Sequence, residues 1–391
     1  MMDAASAVKK TFHEYFEGEP LLVRSPGRIN LIGEHTDYNQ GFVLPAAIDK
    51  TISFAIAPRK DTECRLIACN LNDDFQFSLF NIRRSEKSWP NYFMGVVQQL
   101  LSSHRQIRGF NCVFGGDIPI GAGMSSSAAI EAGLALALNC IFELRIEDID
   151  LVKLAQRAEN EFVGVRCGIM DQFINIYGEP DQALLLDCRS LEYSYYPLAH
   201  DIAVVLFDTC VSHSLASSEY NRRREECGKG VEIIRNLYPA VTHLRDVTPD
   251  MLVQSKSSMS DTIYKRCKYV VEEDDRVLKA CSALNLNDMR TFGQYMYGSH
   301  DGLSGEYEVS CKELDFLVSV VRDNPHVYGA RMMGGGFGGC TINLIEPEAV
   351  DEISAIVSAR YKAAFNREPK VYCTRIGPGT AIVGKGNDEN I

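Results

Sequence analysis

Residues 3–17 carry apolar side chains at helical spacing, with Phe12 and Phe16 four apart, and predict an amphipathic leader helix. The apolar runs Leu21 to Val23 and Thr51 to Ala57 predict strands. Between them lies a polar loop holding Glu34, His35 and Asp37, longer than a mere connection needs. Asn91 to Leu101 reads as a helix and Asn111 to Phe114 as a strand. An Ala/Leu-rich helix follows residue 128, and a second helix covers Asp148 to Phe162. A strand pair, Ala183 to Asp187 with Ala203 to Phe207, opens a second domain. Long helical patterns then span 218–237 and 262–284, and a glycine-rich turn at 334–339 is flanked by strand-like segments. The expected domains are 1–180 and 181–391, and the seam is soft because no Pro/Ser-rich linker marks it.

The 391 residues admit two or three domains of roughly 100–200 residues each. Forty basic residues against 52 acidic ones give a net charge of −12, which argues against a nucleic-acid or anionic-membrane partner. It leaves a local anion pocket open. The 13 cysteines are odd in number, widely spaced and free of C-x-x-C pairs, so reduced thiols are expected rather than disulfides or structural zinc. The start has no apolar signal region, and Ala128 to Ile146 is interrupted by Glu131, Asn139 and Glu143. That stretch falls short of the ~20 apolar residues of a membrane span. A soluble, cytoplasmic protein is expected.

Two strings carry chemistry. In 119–128, Gly121, Ala122, Gly123, Met124, Ser125, Ser126 and Ser127 open the Ala/Leu-rich helix. Unpaired backbone N–H groups and hydroxyls at a helix N-terminus hold phosphate without a basic side chain. One serine would suffice as an ordinary cap, and three behind two glycines exceed that need. The Gly-Lys-[Ser/Thr] ending of the Walker loop is missing. In 24–38, carboxylates, an imidazole and an amide crowd around two glycines, which suits multipoint hydrogen bonding to a polyol or, equally, a solvated loop. Gly334, Gly336 and Gly339 fit the spacing of a dinucleotide fingerprint, but Cys340 to Ile345 reads as a strand where that fingerprint needs a helix.

Three strings, 26–38, 119–128 and Gly334 to Cys340, resemble the three motifs of the GHMP small-molecule kinases. Within that superfamily the Glu34-His-Thr-Asp-Tyr-Asn39 run is similar to the galactokinase family. So are Cys167 to Phe173, His213 to Tyr220 and Tyr307 to Asp315, in the family's order across about 24–375. The resemblance implies an α+β, two-domain GHMP kinase fold. Its N-terminal half would be like ribosomal protein S5 domain 2 and its C-terminal half ferredoxin-like, with the active site between them.

The resemblance also implies ATP and Mg²⁺ as cofactors and galactose as the small-molecule partner, phosphorylated at its anomeric hydroxyl. Residues 121–127 would wrap the ATP phosphates, with Ser127 and Glu159 on Mg²⁺. Asp171 would be the general base, with Arg28 beside it neutralising charge. Glu34, His35, Asp37, Asp171 and Tyr220 would contact the sugar. Trp89, with Tyr92, would border adenine or simply fill the core. Ser212 stands where some members carry a basic residue, leaving open whether a second cation assists. An N-acetylgalactosamine kinase would share the framework, although Thr36 favours plain galactose. A catalytically silent galactose sensor would lack the intact Ser125 to Ala128 segment. No oligomeric partner is implied, and a monomer is compatible.

Overall fold

The computed structural model describes residues 3–104, 106–198, 201–211 and 216–384; Ser212 and the start of the His213 string lie outside them. Helix α1 (Ala4–Tyr15) is capped by Asp3, which accepts from the Ser6 amide at 2.7 Å, and it buries Val8 and Phe12 against Ala55 and Val113. Strands β1 (Leu21–Asn30), β2 (Phe42–Val43), β3 (Pro45–Pro58), β4 (Glu63–Ala68) and β5 (Asp73–Ser78) precede α2 (Pro90–Ser102) and β6 (Phe110–Gly116). Next come α3 (Ser126–Ile141), α4 (Asp148–Arg157), α5 (Met170–Tyr177), β7 (Gln182–Asp187), β8 (Tyr193–Pro197) and β9 (Ala203–Asp208). A helical stretch follows: α6 (Ala216–Arg235), α7 (Pro249–Ser255), α8 (Asp261–Asn285), α9 (Met289–Gly305) and α10 (Lys312–Val321). The chain closes with β10 (Val327–Met332), β11 (Cys340–Ile345), α11 (Val350–Phe365), β12 (Lys370–Thr374) and β13 (Ala381–Ile382).

Six strands form the first sheet in the order β13–β1–β3–β6–β4–β5, antiparallel except for the parallel β4–β6 pair. Helix α3 lies on it closely because Gly133 has no side chain. A Cβ there would stand 2.5 Å from the Phe54 ring and 2.8 Å from Ser25 Cβ. The second sheet runs β10–β11–β9–β12, antiparallel throughout. With α11 between β11 and β12, its four strands follow the ferredoxin-like order, and β11 is buried along its whole length.

Three expectations are corrected, and one element is new. β7 and β9 do not pair: β7 joins β2 and β8, whereas β9 sits between β11 and β12. Both runs are apolar, and periodicity carries no information about a strand's partner. The helix expected over Asp148 to Phe162 ends at Arg157 and widens into a π-helical turn, Ala158–Val163. Strand β1 runs on to Asn30, so Arg28 stands on a strand rather than in the loop. The hairpin β4–β5 had no reading in the sequence.

The end of the described chain returns to the first sheet, where β13 pairs with β1. Asn175 holds it there. Its Oδ1 accepts from Ser25 Oγ at 2.6 Å and from Thr380 Oγ1 at 2.9 Å, and its Nδ2 donates to the Pro26 carbonyl at 2.6 Å. Asn175 is fully buried; Asn175→Ala takes its donor from the Pro26 carbonyl and leaves the Ser25 and Thr380 hydroxyls only each other and the Asn175 backbone carbonyl, and should cost about 1–3 kcal/mol by urea unfolding. A loss within experimental error would show that the network adds nothing to stability.

Candidate active site

Strand β1 presents Arg28 beside the start of α5, where Asp171 occupies the first turn. The guanidinium forks onto the carboxylate, with Nε 2.7 Å from Oδ1 and Nη2 2.8 Å from Oδ2. Its Nη1 donates to the Gly123 carbonyl at 2.5 Å, and Ser125 Oγ donates to Asp171 Oδ2 at 2.5 Å. Burial opposes the Arg28 charge, and Asp171, Glu34 and Asp37 together hold it above the ordinary arginine value. One ion pair thus ties the β1 strand, the serine loop and α5 together.

The loop at 121–125 takes left-handed backbone at Gly121, Gly123 and Ser125, with φ of 79°, 77° and 56°. Helix α3 then starts without a side-chain cap. Its first N–H groups face out of the helix at the positive end of its dipole. Ala122 and Met124 are buried, so their backbone is what the loop offers. Gly334 packs on this loop: a Cβ there would lie 3.4 Å from the Gly123 carbonyl oxygen. The glycine turn is the β10–β11 connection and opens no helix, as its strand-like flank required.

A cavity of about 130 Å³ adjoins this node, walled by Arg28, Glu34, His35, Asp37, Asp171 and Tyr220 among others. The Glu34 carboxylate is held by buried Arg331 at 2.5 Å, by the Gly334 amide at 3.1 Å and by Asn30 at 3.3 Å. His35 has φ of 64° and packs between the rings of Tyr220 and Tyr307. Burial and the Arg223 charge lower it to about 3, which keeps the imidazole neutral. Burial and the neighbouring Asp171 charge raise Asp37 to about 7. Gly168 abuts this carboxylate so closely that a Cβ would sit 2.0 Å from Asp37 Oδ2.

Glu159, on the π-helical turn, is buried and hydrogen-bonded to Ser127. Its Oε2 accepts from Gln172 Nε2 at 2.8 Å; the same nitrogen donates to buried Glu131 at 3.2 Å. Burial and the Asp171 charge raise Glu159, and burial raises Glu131 well above the usual carboxylate range. Oxygen donors in a field of unscreened negative charge suit a hard divalent cation. Among the described residues no group of three or more His, Cys, Asp or Glu side chains is arranged to hold a metal ion.

Trp89 lies away from the cavity wall. Its indole N–H donates to Asp73 Oδ2 at 3.0 Å and its ring packs edge-on against Phe93. Sequence reasoning missed Arg331, Gly168, and the pair Glu273 and Asp274 on α8. Glu273 accepts from the Gly33 amide at 2.9 Å and Asp274 from the Phe42 amide at 2.8 Å, gripping the chain on either side of Glu34 to Asp37. A lone arginine in the apolar run of β10, beside the glycine string, was the readable signal for Arg331.

A sheet-and-helix kinase fold, a serine loop that opens a helix and a carboxylate-rich cavity define a GHMP-type small-molecule kinase. Residues 91–179 match the GHMP kinases N terminal domain and 279–363 the GHMP kinases C terminal domain. Residues 10–58 match the galactokinase galactose-binding signature. The galactokinase of Roseiflexus sp. (strain RS-1) is 41% identical, covering 98% of both chains. That of Clostridium beijerinckii is 40% identical over 98% of this chain and 100% of its own. The crystal structure of Lactococcus lactis galactokinase complexed with galactose superposes with a TM-score of 0.92 at 32% identity, covering 96% of this chain and 99% of its own. The chain belongs to the galactokinase family.

Asp37 and Asp274, the latter raised to about 7 by burial, bind protons in the folded state that an unfolded aspartate of pKa about 3.9 has released. Where the folded state holds the extra proton, stability falls as pH rises, here from about 4 to about 7. Asp274→Asn keeps the acceptor for Phe42 and should flatten the wild-type decline in urea-derived stability between about pH 5 and about pH 7. An unchanged slope would place the titration elsewhere.

Proposed function

We propose that this kinase transfers the γ-phosphoryl of ATP to the anomeric hydroxyl of D-galactose, giving galactose 1-phosphate. The observation that carries the proposal is the Arg28–Asp171–Ser125 node, which joins the sugar cavity to the phosphate loop. Asp171 Oδ1 accepts only from Arg28 Nε among the described residues, so a lone pair remains for a hydroxyl. The attacking sugar oxygen bonds to phosphorus as the bridging P–O bond breaks toward ADP, and the hydroxyl proton passes to Asp171. Arg28 orients that carboxylate and offsets the charge developing beside it.

Glu34, His35, Asp37 and Tyr220 supply the hydrogen-bonding wall for the remaining hydroxyls. The N–H groups at the start of α3 and the backbone of 121–127 receive the phosphates. Ser127 and Glu159 would hold Mg²⁺, which when bound neutralises phosphate charge and aligns the phosphoryl group. Trp89 is proposed at the adenine side; α2, which it precedes, packs along the turn bearing Glu159. The division near residue 180 and a cytoplasmic location remain proposals, the latter supported by thirteen widely spaced cysteines without a C-x-x-C pair. Among the described residues no helix is long and apolar enough to cross a membrane.

A coupled ADP-release assay over galactose, N-acetylgalactosamine, glucose and mevalonate tests the substrate, with galactose expected to be turned over fastest. Turnover of none would overturn the proposal. Asp171→Asn should lower kcat by about 10²–10⁴ while calorimetric galactose binding stays within about tenfold. Near-normal kcat would remove Asp171 as the base.

Ser127→Ala and Glu159→Gln should each raise the Mg²⁺ concentration needed for half-maximal nucleotide binding by roughly tenfold or more, read by thermal shift with the ADP–Mg²⁺ pair. Superimposable titrations would take both residues out of the metal site.

A further inference from the structure

The His35 side chain heads a file of hydrogen bonds that runs away from the cavity into the core of the second half. His35 Nδ1 stands 2.8 Å from the Tyr38 hydroxyl, which is 2.7 Å from the Tyr307 hydroxyl, itself 3.2 Å from Cys227 Sγ. Asn39 Nδ2 closes the far end, pointing at the same sulfur at 3.8 Å while it donates to the His35 carbonyl at 2.9 Å. Tyr307 and Cys227 are fully buried, so no water competes for these protons.

The acceptor strengths set the direction of the file. Tyr307 can aim its proton at a phenol oxygen or at a sulfur, and sulfur is the weaker acceptor. The amide of Asn39 already points at Cys227 Sγ, which leaves the thiol proton free to aim at Tyr307. With the Tyr307 proton on the Tyr38 oxygen, Tyr38 has one acceptor left for its own proton, His35 Nδ1. Nδ1 must then be bare and Nε2 protonated. The other end of the ring agrees. Nε2 has no partner of standard geometry among the described residues and lies by the Gly335 backbone in the cavity wall.

We infer that Cys227, Tyr307 and Tyr38 form a relay that locks His35 in its Nε2–H tautomer, so that it offers the sugar a fixed hydrogen-bond donor. The relay makes Tyr307 and Cys227 positioning residues for substrate recognition, neither of which touches the cavity. It also gives the site a direction: His35 suits an oxygen acting as acceptor, while Asp37 and Glu34 suit hydroxyls acting as donors. This inference rests on His35 facing the sugar.

Long-range proton–nitrogen NMR of imidazole-labelled, sugar-free protein tests it, with the His35 signals identified by their loss in His35→Asn. The expected wild-type spectrum has an unprotonated Nδ1 and a protonated Nε2; a protonated Nδ1 overturns the relay. Tyr307→Phe and Cys227→Ala should each bring in a fraction of the Nδ1–H form, and Cys227→Ser should restore the wild-type tautomer. An unchanged tautomer in both Tyr307→Phe and Cys227→Ala would show that Gly335 alone sets the proton. Tyr307→Phe should also raise KM for galactose roughly fivefold, the loss of about one neutral hydrogen bond, with kcat within about twofold. Because the tautomer is read without sugar, its failure leaves the galactose proposal intact, whereas the turnover panel tests that proposal alone.

Discussion

The pairing of Glu34 with Arg331 is the contact on which the cavity's shape depends. Arg331 is fully buried on β10, and it also donates to the carbonyls of Leu31, Asn30 and Met332 at 2.9, 2.6 and 2.9 Å. Glu34 receives the Gly334 amide in return. One buried guanidinium therefore fixes the end of β1, the sugar-loop carboxylate and the glycine turn relative to each other. Such pairs add little net stability, since desolvation offsets most of the attraction. Their value here is registry: they specify which backbone faces which.

The chain's net charge of −12 conceals how anion binding is arranged. Glu34, Asp37, Glu159 and Asp171 crowd into one region served by the buried arginines Arg28 and Arg331. That excess of negative charge would repel a polyphosphate. The backbone at the head of α3 supplies a positive end without a side chain. Ser127 and Glu159 would, on the proposed reading, hold a divalent cation that offsets phosphate charge. The acidic surplus is thus compatible with nucleotide binding, because the attraction would be local and, with the proposed cation, partly carried by the nucleotide's own metal.

Much of the site was legible because it is written in short strings. The sugar loop, the serine loop and Asp171 each sit in a run whose composition is unusual for a loop or helix start, and all three meet at one ion pair. What stayed hidden is single residues in ordinary surroundings. Glu273 and Asp274 look like a solvated face of a long helix, yet they bind the Gly33 and Phe42 amides because α8 folds back over the sugar loop. Gly168 matters only through its distance to Asp37. The partners of β7 and β9 were unreadable for the same reason: strand pairing is decided by contacts distant in sequence.

Two aspartates facing one cavity would both suffer from the other's charge, and the fold resolves this unequally. Asp171 receives a two-pronged guanidinium and a serine hydroxyl, so its charge is paired at close range. Asp37 receives one backbone amide, from Tyr38 at 2.9 Å, and stands against a glycine. Burial and the Asp171 charge therefore fall on Asp37, which is pushed to about 7. Environments that separate two carboxyls in this way separate their roles. Asp171 is held in a fixed orientation at the serine loop, where the proposed transfer needs a proton acceptor. Asp37, poised between its two forms, would on the proposed reading accept from a sugar hydroxyl.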